Sequence, residues 1–84
     1  MIVEIEVVEQ KGTCVAGLKK GDKIRINPNE TPCNFCAPAF VSLYPNLKAI
    51  SAGAKFGWAE PDGSILAACP DPKNPIVFSL KVVE

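Results

Sequence analysis

The 84-residue chain contains no histidine. That absence excludes Ser-His-Asp and Cys-His catalysis in their usual forms and every histidine-ligated metal centre. It also removes the side chain best suited to moving protons near neutral pH. Long apolar runs are missing too: none approaches the roughly 18 residues that suggest a bilayer span. The opening stretch, MIVEIEVVEQ, alternates acids with apolar residues and lacks a basic n-region, so it does not read as a signal peptide. A cytosolic protein with no membrane association is expected.

Charge of either sign is not in excess. Nine basic and nine acidic residues give a net charge of zero and a pI of about 6.2, so no global field favours nucleic acid or membrane. There is no G-x-G-x-x-G and no P-loop, which leaves nucleotide binding without support. Glu60, Asp62 and Asp71 do not form a spaced carboxylate pair of the acid/base kind. The one local cluster of charge is Lys11, Lys19, Lys20, Lys23 and Arg25, offset by Asp22. Lys19, Lys20, Lys23 and Arg25 could contact phosphate, but no aromatic residue interleaves them, so nucleic acid is an unfavoured partner and solvated lysines are the simpler reading.

The chain's length suits one domain spanning residues 1–84, and its apolar share of 48% is that of an ordinary globule. In residues 2–9, Val3, Ile5 and Val7 alternate with Glu4 and Glu6, the period of a half-buried strand. Lys23-Ile24-Arg25-Ile26 alternates in the same way, and Asn27-Pro28-Asn29 stops it. Over 36–52, Phe40, Leu43, Tyr44, Leu47 and Ile50 recur at helical spacing. Pro38 suits a first turn, Pro45 predicts a kink or restart, and Gly53 fits the residue after the helix. A hairpin is expected from strands 56–60 and 64–69 around Pro61-Asp62-Gly63. Phe56 and Trp58 read as core. After the proline-rich PDPKNP, IVFSLKVVE is a last strand with Ile76, Phe78, Leu80 and Val82 on one face. The sum is an α+β fold: a small antiparallel or mixed sheet of about five strands, first and last strands central, with one broken helix packed on a face.

Chemistry, if there is any, lies in Cys14, Cys33, Cys36 and Cys69. Cys33-x-x-Cys36 has the spacing at which two thiolates on one turn converge on an ion. Cys14 and Cys69, each beside glycine or proline in sequence or near a strand end, could complete a tetrahedral set. Four thiolates without histidine favour structural zinc, iron suits the same ligands, and Asp71 is a reserve ligand. Other readings stay open. Cys36 could be a low-pKa redox thiolate at a helix start, working with Cys33 or with Cys14 and Cys69. The cysteines could also be plain core thiols, or Cys14 and Cys69 a disulfide.

The segments VVEQKGTCVAGLKKGDKI, CAPAFVSLYPNLKAISAG and ACPDPKNPIVFSL resemble a family of short prokaryotic proteins with no assigned activity. Its pattern is a strand, then C-x-x-G-H-K-x-G-D, a cysteine-initiated helix containing Tyr-Pro, and C-P-D-P-x-x-P-V-V-F. The resemblance covers nearly the whole chain and implies one compact domain. Cys14, Cys36 and Cys69 match the family's cysteines. Leu18 stands where the family commonly has histidine, and Cys33 where it has no cysteine. A Cys₃His site in the family would therefore imply a Cys₄ site here, with Cys33 replacing the histidine. The expected role is accessory or interaction-based, with an unspecified protein partner and without catalytic turnover.

Overall fold

The computed structural model describes residues 2–12, 17–32, 35–69 and 72–83. Their elements are β1 (Val3–Gln10), β2 (Lys23–Ile26), α1 (Ala37–Ser51), β3 (Ile65–Ala68) and β4 (Ile76–Val82). The strands form one antiparallel sheet in the order β2-β1-β4-β3. The first and last strands are central, as their apolar alternation suggests, and the two four-residue strands form the edges. Short edge strands limit the row of unpaired backbone groups offered to other chains.

One sheet face is apolar and carries α1. Val3, Ile5 and Val7 of β1 meet Ile76, Phe78 and Leu80 of β4, with Ile65 and Ile26 toward the edges. The helix buries Ala39, Leu43, Leu47 and Ile50 against them, while Phe40 and Tyr44 pack at the margin. The opposite face is charged. Arg25 Nε donates to Glu4 Oε2 at 3.1 Å, Lys81 lies opposite Glu4, and Lys23 lies opposite Glu6. Exposed pairs of this kind are worth only about 0.2–1 kcal/mol each.

Three expectations are corrected. The described residues hold four strands, where about five were expected, because 56–60 does not pair. Ala59 N instead donates to Phe56 O at 3.2 Å and closes a turn. Trp58 packs against Phe56 with tilted rings, centroids 4.9 Å apart, but is 65% exposed and outside the core. The helix is also unbroken: it runs through Pro45. Pro45 and Val41, four residues earlier, both belong to the exposed side, so the carbonyl that loses its amide partner lies toward water. The helix stops with both reverse-turn bonds of a Schellman cap: Gly53 N donates to Ile50 O and Ala54 N to Ala49 O, each at 3.1 Å. Gly53 has φ +92°, which a side chain would resist.

At Glu60-Pro61-Asp62-Gly63 the expected turn forms, with Gly63 N donating to Glu60 O at 2.8 Å. Ser64, the buried polar side chain beside it, is satisfied by Asp62: Oγ and N donate to Oδ1 at 2.6 and 3.0 Å. Those two bonds, hydroxyl first, and then Lys81 at 3.5 Å hold the Asp62 carboxyl below the usual carboxylate range. A lowered folded-state pKa gives stability that is present above the unfolded value and lost as pH falls through the folded one. Asp62→Asn keeps an acceptor for Ser64 but cannot titrate. Its thermal melts should therefore lose part of the acid-side decline below about pH 4. An acid slope identical to that of the wild type would refute the linkage.

Candidate metal centre

Antiparallel pairing decides which connections share an end of the sheet. β1 finishes at Gln10, opposite Ile76 at the start of β4. β3 finishes at Ala68, and Cys69 N donates to Ile76 O at 2.8 Å. The helix runs the same way as β4. Near its start Ser42 Oγ donates to Ala68 O at 3.2 Å, and beyond its end Gly53 lines a shallow cavity with Lys81 and Val82. So the end of β1, the start of β2, the end of β3, the start of β4 and the start of α1 all lie at one end of the molecule.

The described flanks of the cysteines are tightly built there. Lys11 N donates to Pro75 O at 3.0 Å, and Gly12, at φ +72°, lies directly against Asn74. Beyond the loop, Leu18 is buried in the core, Gly21 N donates to Val7 O at 2.8 Å, and Val7 N donates to Asp22 O at 2.9 Å. Position 18 thus faces the interior. Ahead of the helix, Phe35 packs on Phe78 with ring centroids 5.5 Å apart, and on Phe40 at 6.1 Å.

Cys36 and Cys69 are half-buried free thiols that pack against the core from this end. Cys36 is the residue that caps α1, yet its side chain makes no capping bond and stays available. Cys14, Cys33 and the reserve ligand Asp71 lie outside the described residues. Among the described residues no group of three or more cysteine, aspartate or glutamate side chains could hold a metal.

The basic residues do not gather into one surface. Lys23 and Arg25 alternate across the sheet with Glu6 and Glu4, so a phosphate there would meet carboxylates. Lys19 and Lys20 serve the loop through their backbones: Lys19 N donates to Asp22 Oδ2 and Lys20 N to Gln10 Oε1. Gln10 was not legible as a structural partner. The signal was Val7-Val8, which breaks the alternation of β1 where the register with β4 shifts.

What the described residues define is a small α+β domain, one helix on a four-stranded antiparallel sheet, with the half-buried free thiols of Cys36 and Cys69 at one end of it. No family model, curated protein or solved structure matches the chain. Among the described residues, no helix is long and apolar enough to cross a membrane.

Proposed function

We propose that this is a small non-catalytic domain that binds a structural metal ion, zinc in type, through Cys14, Cys33, Cys36 and Cys69. The observation that carries this reading is topological. Cys14 lies in the β1–β2 connection, Cys33 and Cys36 directly before α1, and Cys69 directly after β3. All three stretches reach the same end of the sheet, and four thiolates from three connections make a closed tetrahedral set. A site complete only in the native state adds its affinity to folding. The role is accessory or interaction-based, in a compartment such as the cytosol where thiols stay reduced.

Metal analysis of full-length protein purified without chelator tests this. About one equivalent of zinc is expected, with four thiols that alkylate slowly until a strong chelator is added. Cys36→Ser and Cys69→Ser should each lower the bound metal. Protein free of metal, with four rapidly reacting thiols, would defeat the reading. A second reading, a redox thiol at Cys36, draws on its half-exposed position at the helix start without a capping bond. It expects one fast-alkylating thiol near neutral pH and a reversible disulfide. Iron in place of zinc would show as visible colour.

A further inference from the structure

We propose that the groove between α1 and the turn that follows β2 is a docking site for an arginine side chain carried by an extended partner peptide. This gives a partner to the interaction role above and does not depend on the metal, because no cysteine is among the described residues that line the groove. The groove encloses about 390 Å³. Phe40, Val41, Tyr44 and Pro45 form its helix wall, and Pro28 and Glu30 line it from the turn. That turn is fixed in place. Glu30 N donates to Asn27 O and Asn29 N to Asn27 Oδ1, each at 2.9 Å. It is then tied to the helix: Tyr44 Oη donates to Pro28 O at 3.1 Å, and Lys48 Nζ to Asn29 Oδ1 at 2.7 Å. A groove already formed spares its ligand part of the ordering cost of binding.

The lining calls for a cation rich in hydrogen-bond donors. Glu30 is the only charged side chain among the described residues that line the groove, and it has no ion pair among the described residues. Pro45 carries no N–H, so Val41 O has no amide four residues on to accept from and is a second acceptor. Phe40 and Tyr44 set two rings at 52° to one another, centroids 5.6 Å apart. Val41, 73% exposed, adds apolar surface that nothing in the chain covers. A guanidinium answers all of these: it stacks on aromatic rings, forks to a carboxylate, and has N–H groups left for a carbonyl, while its methylene stem covers apolar surface. The compact, strongly hydrated ammonium of lysine stacks less well. A second, apolar hollow of about 220 Å³ adjoins the groove and shares Thr31, Phe40 and Val41 with it. That hollow takes an apolar neighbour of the arginine, which makes the occupant a peptide and not the free amino acid.

Amide NMR titration of the full chain as purified tests the assignment. The probe is a blocked peptide, Ala-Pro-Arg-Pro-Ala, whose prolines hold it extended. Shifts are expected at the amides of 29–31 and 40–44. The same peptide with citrulline for arginine keeps the shape without the charge and should bind about fivefold more weakly. Glu30→Gln should weaken the arginine peptide about 2–5-fold and the citrulline peptide less. Val41→Lys sets a like charge in the groove from an exposed helix position and should weaken the arginine peptide about tenfold or more. If Val41→Lys does not fold, Glu30→Gln carries the test. Trp58→Ala removes an exposed aromatic that lines neither hollow and should leave affinity within about twofold. Shifts confined to other residues, equal affinity for the two peptides, or a loss in Trp58→Ala matching that in Val41→Lys would overturn the site. Shifts at the same amides on raising protein concentration without peptide would assign the groove to a second copy and overturn the peptide as its occupant. None of these results bears on the metal reading, which metal content decides.

Discussion

Phe78→Ala is expected to lower stability by about 3–5 kcal/mol. The Phe78 side chain is fully buried, is among the largest that are, and lies mid-sheet between Val7 of β1 and Ala67 of β3. Truncation there removes the transfer free energy of a benzyl group and leaves a cavity that two neighbouring strands and α1 cannot close. Native domains are stable by only about 5–15 kcal/mol, so the loss is a large fraction of the total. For a domain of this size it corresponds to a fall in Tm on the order of 15–30 °C. Phe78→Leu, which refills much of the volume, should cost roughly 1 kcal/mol. Circular-dichroism melts and urea titrations read both variants, and a loss below 1 kcal/mol for alanine would refute the central packing role. Phe35 stacks on Phe78 one residue before Cys36, so Phe78→Ala should also raise the alkylation rate of Cys36.

Gly12→Ala is expected to cost about 2–3 kcal/mol, from two separable causes. Backbone in the left-handed region costs an alanine about 1–2 kcal/mol. In addition, a Cβ at position 12 would fall on Asn74 Oδ1 and within 3.1 Å of Asn74 Cγ. Asn74 has an interaction of its own, so turning it away is not free. Gly53→Ala isolates the first cause: Gly53 has a comparable φ of +92°, and nothing lies within 4 Å of its built Cβ. It should cost about 1 kcal/mol. Denaturant midpoints compare the two, and equal losses would show that the Gly12–Asn74 contact carries no energy. Under the metal reading Gly12→Ala has a second consequence. Lys11 and Gly12 would draw away from the 73–75 stretch, so metal affinity should fall as well, while Gly53→Ala leaves it unchanged.

Alternation in IVEIEVV, KIRI and IVFSLKV was enough to place β1, β2 and β4 and to choose their buried faces. The pleat puts every second side chain on one side, and one face must be dry. Helical spacing placed α1, and Pro61-Asp62-Gly63 its turn. These features depend on neighbours in sequence. The absence of histidine likewise restricted any side-chain metal ligands to thiolates and carboxylates without reference to shape.

The remainder depended on contacts far apart in the chain. Phe56–Glu60 has strand-like composition but folds into a turn, Ala59 N donating to Phe56 O, and only Glu60 N reaches across the Pro61–Gly63 turn, to Ser64 O. Pro45 does not end α1, because Leu43, Leu47 and Ile50 on either side of it are packed into the core. Antiparallel pairing of β1 with both β2 and β4, and of β4 with β3, brings the end of β1, the start of β2, the end of β3 and the start of β4 to one end. Local pattern therefore decided which residues are apolar-facing and which atoms could bind metal. Tertiary pairing decided where the chain brings them, because register is set by long-range hydrogen bonds that no local window contains.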